Sequence, residues 1–269
     1  AHSERQPRGV VGIISPWNYP VQLALAPAIG ALAAGNRVLL KPSDITPATS
    51  EVLRELVAEH FDEDEFAVVL GGAEVGRAFS QLPFDHLIFT GSTAVGKHVM
   101  AAAAANLTPV TLELGGKSPA LVAPDYPIEQ AAERIAFGKC FNAGQTCVAP
   151  DYVLLPEAQL EAFIAAFMAS VKRRYPDLAH DADYTGIING RQFERLQAWL
   201  NEAKAAGVRT IAYDMPENAG QAASLKLIPP TLLVNPSEQL TIMQQETFGP
   251  RLPVITYSHI DQAVGFVLN

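Results

Sequence analysis

The chain has 269 residues, of which 49% are hydrophobic and 17% are charged, and its net charge is −9. This length suits one large domain or two of ordinary size. The acidic balance argues against nucleic acid or an anionic membrane as the partner, so we expect a small-molecule substrate. The most apolar window, residues 21–35, contains a proline and is too short to span a bilayer.

Two cysteines, Cys140 and Cys147, lie close together in the sequence. Two such cysteines do not form a disulfide framework, which indicates a reducing compartment and a cytoplasmic location. Cys140 falls inside an apolar helical pattern and is predicted to be a buried core thiol. Cys147 follows Gly144 and Gln145, where that pattern stops, and is therefore a candidate nucleophile. The alternative is that both thiols belong to the core.

Strands and helices alternate through the first part of the chain. The pattern predicts strands at 9–14, 37–40, 66–70, 86–90 and 110–114, and helices at 20–34, 47–60, 73–80 and 93–105. Repeated βαβ units of this length predict an α/β fold, a doubly wound Rossmann-like parallel sheet with helices on both faces. In the helix over residues 47–60, Val52, Leu56 and Val57 are predicted to share one apolar side.

The second part of the chain, residues 115–269, predicts another α/β domain. Strands are predicted at 119–122, 152–155 and 253–257, an edge segment at 228–233, and helices at 128–141, 160–175 and 192–206. A surface loop is predicted over residues 214–221. The boundary between the domains is placed between Leu114 and Gly115, and the second domain is expected to be truncated at its C-terminal end.

Three polar segments each follow a predicted strand. They are Ser15-Pro16-Trp17-Asn18, Lys41-Pro42-Ser43-Asp44 and Gly91-Ser92. The carboxyl ends of parallel strands meet at one edge of a sheet, where such folds bind ligands. We therefore expect these three segments to converge on one site.

A nucleotide is one candidate ligand for that edge. Gly91 and Ser92 open a predicted helix that contains Gly96, and the N–H groups at a helix N-terminus favour phosphate. Asp44 could accept hydrogen bonds from ribose hydroxyls, as acids do in dinucleotide folds, with Lys41 beside it. The alternatives are an ordinary glycine-containing turn and a solvated loop lysine.

Acyl chemistry at a thiol needs an oxyanion donor and a base. The Asn18 amide is a candidate donor, although asparagine is common in turns and could serve only to shape this one. Glu113, at the end of a predicted strand, could activate water if it is buried; otherwise it is an exposed strand-end glutamate.

Two further features stand apart from these segments. Glu246 and Phe248 lie in a polar island before a strand, where Glu246 could hold a hydroxylated ligand and Phe248 could pack on a flat ring; the alternative is a turn with one core aromatic. The six histidines are scattered without metal-ligand spacing, so no metal is expected.

Taken in order, six motifs resemble those of the aldehyde dehydrogenase superfamily. They are Pro16-Trp17-Asn18-Tyr19-Pro20, Lys41-Pro42-Ser43-Asp44, Phe89-Thr90-Gly91-Ser92 with Gly96, Glu113-Leu114-Gly115-Gly116-Lys117-Ser118-Pro119, Gly144-Gln145-Thr146-Cys147 and Glu246-Thr247-Phe248-Gly249-Pro250. The continuation from Cys147 to Leu154 resembles the class 3-like branch and, within it, the bacterial coniferyl aldehyde dehydrogenases.

The resemblance implies a mechanism. Cys147 would attack an aldehyde, with Asn18 and the Cys147 N–H holding the oxyanion, and Glu113 would activate water to release the acid from a thioester. Residues 1–114 would be the NAD(P)-binding domain, lacking its N-terminal segment, and residues 115–269 the catalytic thiol domain. The resemblance implies cofactor contacts for Ser15, Pro16, Trp17, Lys41, Ser43, Asp44, Gly91, Ser92, Gly96, Leu114, Glu246 and Phe248.

Asp44 departs from the family pattern, which usually has glutamate there. The shorter acid still favours a free 2′-hydroxyl, so NAD is the expected cofactor, with NADP open. The family's oligomerisation hairpin is not recognisable in the sequence, and we expect a homodimeric or homotetrameric parent enzyme whose isolated fragment could be inactive.

Three other functions remain open at this point. One is a CoA-acylating aldehyde dehydrogenase, and another is a non-catalytic nucleotide-binding protein on the same scaffold. The third is a cysteine-dependent hydrolase without a cofactor. The leading expectation is an oxidoreductase that converts an aromatic aldehyde such as coniferyl aldehyde, or a fatty aldehyde, into its acid.

Overall fold

The structure, a computed structural model, describes residues 6–214 and 225–268. The chain divides into two compact units, Ala1–Gly115 and Gly116–Asn269, here called unit 1 and unit 2. Of the loop predicted over residues 214–221, all but Asp214 lies outside the described residues. In the described part of the chain, no helix has the length and apolar character required to cross a membrane.

Unit 1 is built from alternating strands and helices, as predicted. Its elements are β1 Val10–Ile14, α1 Gln22–Ala33, β2 Arg37–Lys41, α2 Pro47–His60, β3 Phe66–Val68, α3 Ala73–Ser80, β4 His86–Gly91, α4 Thr93–Ala104 and β5 Val110–Leu114. The strands form one sheet in the order β3-β2-β1-β4-β5, and all four pairs are parallel. The chain adds β2 and β3 on one side of β1 and then β4 and β5 on the other side, so the strand order reverses between β1 and β4.

Helices cover both faces of this sheet, which confirms the doubly wound α/β prediction. Val11 and Ile13 of β1 pack with α1 and α2, whereas Ile14 packs on the opposite face with α3 and α4. This alternation follows from the two-residue period of a strand, and a sheet buried on both faces needs apolar residues at nearly every strand position.

The buried side of α2 differs from the prediction. Ser50, Leu53 and Val57 are buried, whereas Val52 is 62% exposed and Leu56 is 45% exposed. The apolar residues of α2 form two adjacent stripes, and the stripe that packs against the core is the one that also contains Ser50. A serine is tolerated there because its hydroxyl donates to the Ser43 carbonyl at 2.8 Å.

Unit 2 contains a second five-stranded sheet. Its elements are β6 Pro119–Leu121, α5 Ile128–Cys140, β7 Tyr152–Pro156, α6 Leu160–Arg174, α7 Gly190–Ala205, β8 Arg209–Ala212, β9 Thr231–Val234, α8 Thr241–Gln244, β10 Arg251–Tyr257 and α9 Ile260–Leu268. The strand order is β6-β7-β10-β9-β8, and only β8 is antiparallel to its neighbour. Its largest core cluster joins β7, β9 and β10 to α5, α6 and α7.

The segment over residues 228–233 is not at the edge of this sheet, contrary to the prediction. β9 lies between β10 and β8, and β8 forms the edge. Pro229 and Pro230 of this segment precede β9 and do not interrupt its hydrogen bonding. β8 was not predicted because it is short and contains Arg209 and Thr210 among its four residues.

Candidate active site

The carboxyl edge of unit 1 gathers the three polar segments predicted to converge. Ile14 at the end of β1 is in register with Lys41 at the end of β2 and with Phe89 of β4, which extends two residues further to Gly91, so the segments that follow these strands leave the sheet at the same edge. The reversal of strand order between β1 and β4 lies at this edge, and such reversals open a crevice for ligands.

The segment after β1 begins with a buried residue. Ser15 donates its backbone N–H to the Lys41 carbonyl at 3.2 Å, and its buried hydroxyl has no hydrogen-bond partner among the described residues. Pro16, Trp17 and Asn18 follow in a bend and are half-buried. Asn18 is thus placed in the turn that directly follows β1, as predicted.

Lys41 and Asp44 form a pair with unequal exposure. The Lys41 side chain is 6% exposed and that of Asp44 is 51% exposed, with 4.0 Å between Nζ and Oδ1. The Lys41 ammonium also donates to the Pro42 carbonyl at 3.1 Å. Burial lowers the pKa of Lys41, while the nearby carboxylates of Asp44 and Glu74 raise it. Lys41 is therefore not a solvated loop lysine, and Asp44 is the member of the pair that faces solvent.

The segment between β2 and α2 is shaped by Ser43. This buried residue accepts the Ile45 N–H on its hydroxyl at 3.3 Å and the Ser50 hydroxyl on its carbonyl at 2.8 Å. Ser43 thereby fixes the turn in which Asp44 is presented.

The segment after β4 brings α4 close to the sheet. A Cβ at Gly96 would lie 2.7 Å from Leu114 Cδ2, and a Cβ at Gly91 would lie 2.6 Å from the Phe89 ring. Ser92 is the N-cap of α4 and accepts the Val95 N–H at 3.4 Å. Because this helix begins at an exposed serine, its N-terminus is open to an anionic ligand.

Glu113 is exposed, so the burial required by the sequence argument for a general base is not present in this chain. Glu113 lies on β5, at the edge of the sheet, where Leu112 and Leu114 pack into the core of the α3 and α4 face. The glutamate therefore lies on the opposite face of the strand, and water can reach it directly.

The cysteine loop of unit 2, residues 141–147, has an unusual backbone. Asn142, Ala143 and Gly144 have φ of 51°, 50° and 73°, all in the left-handed region. A non-glycine residue in such a conformation costs about 1–3 kcal/mol and persists only where neighbouring structure enforces it. A Cβ at Gly144 would lie 2.4 Å from the Gly249 carbonyl oxygen, so only glycine fits there.

Gln145 holds this loop in place from within. It is 2% exposed, and its amide nitrogen donates to the carbonyls of Asn142 at 3.2 Å and Gly186 at 3.1 Å. Its amide oxygen accepts the Ile188 N–H at 3.0 Å. In return, the Asn142 side chain donates to the Gln145 carbonyl at 3.2 Å. These bonds offset the strain of the left-handed residues. No functional role was predicted for Gln145.

The two thiols have opposite environments, which confirms the prediction for Cys140. Cys140 is buried in the core, and its burial raises the pKa of the thiol to about 12. Cys147 is exposed, and its carbonyl accepts the Ser118 hydroxyl at 3.3 Å. Since the thiolate is the nucleophile, only Cys147 is suited to attack a substrate.

Glu246 and Phe248 lie in the segment between α8 and β10, which contacts the cysteine loop at Gly249. One carboxylate oxygen of Glu246, Oε1, is buried without a hydrogen-bond partner among the described residues. Burial, followed by the charge of Asp151, raises the pKa of Glu246. Phe248 is half-buried and has φ of 46°. The segment therefore combines a strained backbone with a buried carboxylate oxygen that has no hydrogen-bond partner among the described residues.

Sequence reasoning gave no role to a group of charged residues that contact this segment. The Lys117 ammonium pairs with the Asp151 carboxylate, and the Arg195 guanidinium donates to the Thr247 carbonyl at 2.7 Å. Lys117 and Asp151 were visible in or beside the motifs. The signal that could have identified them is a charged residue among apolar neighbours in the sequence. In the part of the chain that the structure describes, no three His, Cys, Asp or Glu side chains are grouped to hold a metal.

Comparison with known proteins supplies the family. Residues 1–267 match the model of the aldehyde dehydrogenase family. A probable coniferyl aldehyde dehydrogenase of Pseudomonas aeruginosa is 55% identical over 97% of this chain and 54% of its own length. Aldehyde dehydrogenase family 3 member B1 of Rattus norvegicus is 44% identical over 99% of this chain and 54% of its own length.

Comparison of the fold with solved structures supports the same family. The structure of an aldehyde dehydrogenase of Mycobacterium tuberculosis complexed with NAD+ has a TM-score of 0.86 and 35% identity, covering 97% of this chain and 55% of that one. The chain spans about half the length of the curated relatives it matches. The predicted resemblance to the class 3-like branch and to the bacterial coniferyl aldehyde dehydrogenases is confirmed. The chain belongs to the aldehyde dehydrogenase family.

Proposed function

We propose that the complete protein carrying this chain oxidises an aldehyde to its carboxylic acid with NAD(P)+, through a covalent intermediate on Cys147. The observation that carries this proposal is the contrast between the two thiols. Cys140 is held inert in the core, while Cys147 is exposed on a loop whose strained backbone is fixed by Gln145. A loop held in this way presents its thiol in one orientation.

The chain's own residues account for the first chemical step. The Cys147 sulfur adds to the aldehyde carbonyl carbon, and negative charge develops on the oxygen. The side-chain amide of Asn18 and the backbone N–H of Cys147 are the proposed donors to that oxyanion. Removing one donor of this kind typically costs about 2.7–4 kcal/mol in the transition state.

The residues on the edge of unit 1 fit a dinucleotide. The exposed Asp44 carboxylate, set beside the buried Lys41, suits a ribose hydroxyl, and the open N-terminus of α4 at Ser92 suits a pyrophosphate. The unpartnered hydroxyl of Ser15 lies at the same edge. We assign further contacts to Pro16, Trp17, Ser43, Gly91, Gly96 and Leu114.

In unit 2, the free Glu246 Oε1 suits the second ribose, and Phe248 suits the nicotinamide ring. When bound, the dinucleotide supplies the hydride acceptor that turns the Cys147 adduct into a thioester. An acid at position 44 repels a 2′-phosphate, so NAD+ is the preferred form. A structure of the M. tuberculosis relative contains NAD+, in agreement with this choice.

Release of the acid requires a base, and Glu113 is the proposed one. Its carboxylate takes a proton from water as the water oxygen attacks the thioester carbonyl, and the Cys147 sulfur leaves as thiolate. The assignment rests on the position of Glu113 in the motif that resembles the family, because its exposed side chain does not provide the burial expected of a general base. The substrate we propose is an aromatic aldehyde such as coniferyl aldehyde, in line with the name of the P. aeruginosa relative.

The test is single-turnover and steady-state kinetics of the complete protein with coniferyl aldehyde and NAD+. Glu113→Gln should retain a first-turnover burst of NADH and slow the steady rate by about 10²–10⁴-fold, since general-base catalysis contributes about that much. Cys147→Ser is the matched control and should lose both phases.

Two outcomes contradict parts of the proposal. An unchanged steady rate in Glu113→Gln would remove Glu113 from the mechanism, and a steady rate that depends on added coenzyme A would identify an acylating enzyme. Turnover of short aliphatic aldehydes that equals that of coniferyl aldehyde would reject the substrate assignment.

A further inference from the structure

Three segments of unit 2 meet around a charged pair that the proposed mechanism does not use. They are residues 116–118, the stretch from the cysteine loop to Asp151, and residues 242–249, which carry Glu246. The pair consists of Lys117 and Asp151, whose side chains are 21% and 4% exposed. We call this pair the brace.

The Lys117 ammonium has three donors, and each has an acceptor. One acceptor is the Asp151 carboxylate. The others are the carbonyls of Ile242 and Gln245, both at 2.9 Å. Lys117 thereby fixes the backbone immediately before Glu246.

Asp151 fixes the backbone immediately after Glu246. Its Oδ1 accepts the Thr247 N–H at 2.8 Å, while its own N–H donates to the Ser118 carbonyl at 2.8 Å. Asp151 belongs to the stretch that follows Cys147, and Ser118 also donates to the Cys147 carbonyl at 3.3 Å. The brace therefore connects the peptide groups on both sides of Glu246 to the stretch that contains Cys147.

The segment around Glu246 depends on side chains for these backbone bonds. It lies between the single turn of α8 and strand β10, and in the described part of the chain the backbone groups of Glu246 and Thr247 form no hydrogen bond to another backbone group. Arg195 donates to the Thr247 carbonyl at 2.7 Å and to that of Glu246 at 3.4 Å. A buried ion pair by itself is weak evidence for a stabilising role. An ion pair that serves the backbone on both sides of a proposed ligand-binding carboxylate points to positioning.

We propose that Lys117 and Asp151 are positioning residues for Glu246, holding its carboxylate where a ribose hydroxyl binds while leaving the reactivity of Cys147 unchanged. The inference rests on the proposed function for the identity of the ligand. The brace itself is a property of the chain and can be tested without the ligand.

The first readout is hydrogen exchange of the complete protein without cofactor. In Lys117→Met, exchange in peptides covering residues 241–249 should rise at least about fivefold, because local opening there loses its side-chain partners. The matched control is Glu161→Gln, which breaks the exposed ion pair of Glu161 and Arg209 in the same unit. If the exchange rate in these peptides stayed within about twofold of that control, the claim that the brace holds this backbone would be wrong.

The second readout separates positioning from general damage. Lys117→Met should raise the Kd for NAD+ about tenfold, and Glu246→Gln should do the same. The double variant should bind NAD+ no more weakly than either single variant. The rate at which iodoacetamide alkylates Cys147 should change less than about threefold. Additive losses in the double variant, or a parallel fall in alkylation, would overturn the positioning role.

A second variant covers the case in which Lys117→Met does not fold. Asp151→Asn keeps an acceptor for the Thr247 N–H and removes the charge that pairs with Lys117, so the same two effects should appear with smaller size. Their absence in a folded Asp151→Asn protein would overturn the proposal. If wild-type protein fails to bind NAD+, the proposed function fails, and the exchange experiment still decides whether the brace exists.

Discussion

Two polar side chains proposed to contact the ligand at the carboxyl edge of unit 1 are exposed to solvent, whereas two polar side chains that support the cysteine loop and the Glu246 segment of unit 2 are buried. Asp44 and Ser92 are exposed at the ends of regular strands. Gln145 and Asp151 are 2% and 3% exposed and form hydrogen bonds to backbone groups of irregular segments. In unit 1 the sheet positions these two exposed side chains, while the buried Lys41 and Ser43 hydrogen-bond to the backbone behind them. In unit 2 the polar groups themselves supply the shape.

This difference has an energetic consequence. A regular sheet satisfies its own backbone, so a polar residue at its edge can change at little expense to folding. A left-handed loop has no such support, and its buried partners are costly to lose because each removal leaves an unsatisfied group. Substitutions in unit 2 should therefore affect stability more than matched substitutions in unit 1.

A pair of glycines gives the largest expected contrast. Gly144→Ala places a Cβ 2.4 Å from the Gly249 carbonyl and requires a left-handed alanine, so we expect a loss of about 3 kcal/mol or more in the free energy of unfolding. Gly96→Ala places a Cβ 2.7 Å from the end of the flexible Leu114 side chain, and the gain in helix propensity offsets part of the strain. We expect a loss below about 1 kcal/mol there.

Urea denaturation of both variants measures this contrast through the shift in midpoint. Equal losses at the two positions would show that the cysteine loop can relax. The idea that its backbone is fixed would then be wrong.

A pair of buried lysines gives the next contrast. Lys139 of α5 is 1% exposed, and burial lowers its pKa to about 8, although Asp151 raises it. Against an ordinary value of 10.5, the charged lysine makes folding less favourable by about 3 kcal/mol at pH 7. Lys139→Met should therefore stabilise the protein by up to about 3 kcal/mol at pH 7.

The sign of the pH dependence follows from proton binding. Between pH 8 and 10.5 the unfolded chain holds a proton on Lys139 that the folded chain has lost, so wild-type stability rises with pH. The advantage of Lys139→Met should shrink over the same range and vanish near pH 10.5. Lys41→Met in unit 1 is the matched control and should give a smaller gain, because the carboxylates of Asp44 and Glu74 both favour the charged form of Lys41. A gain that is independent of pH would contradict this account.

The same contrast explains what could be predicted from sequence. In unit 1, α2 and α3 have the predicted bounds, because Pro47 and the glycines before Ala73 mark helix starts without help from distant residues. The meeting of the polar segments at one edge follows from the parallel-strand rule alone. The prediction of the buried side of α2 was wrong, and the burial of Glu113 was left open by the sequence. Both depend on which side of the element is covered by neighbouring elements.

In unit 2, the missing information was long-range. The contact between Asp151 and Thr247 joins residues 96 positions apart, and that between Lys117 and Gln245 spans 128. Neither has a local pattern, so Lys117 and Asp151 could be seen near the motifs but not assigned to each other. The left-handed backbone at Asn142 and Ala143 was equally invisible, because neither residue is a glycine.

Two helix N-caps, one in each unit, give the smallest expected difference in stability. They test whether the difference between the polar groups of the two units extends to helix ends. Asn189 caps α7 in unit 2 by accepting the Gln192 N–H at 3.0 Å, whereas the Ser92 hydroxyl is 3.4 Å from the Val95 N–H in unit 1. Hydrogen bonds weaken as distance grows, so Asn189→Ala should destabilise the protein by about 1 kcal/mol and Ser92→Ala by less than about half of that.

For ligand binding, Ser92→Ala should have the larger effect of the two substitutions, because the Ser92 hydroxyl has hydrogen-bonding capacity left for a pyrophosphate. Ser92→Ala should then weaken NAD+ binding about three- to tenfold, while Asn189→Ala leaves the Kd within about twofold. Thermal unfolding and titration with NAD+ on the same two proteins make both measurements. If Ser92→Ala destabilised the fold as much as Asn189→Ala and left NAD+ binding unchanged, Ser92 would be a structural cap, and the polar edge of unit 1 would resemble the internally satisfied groups of unit 2.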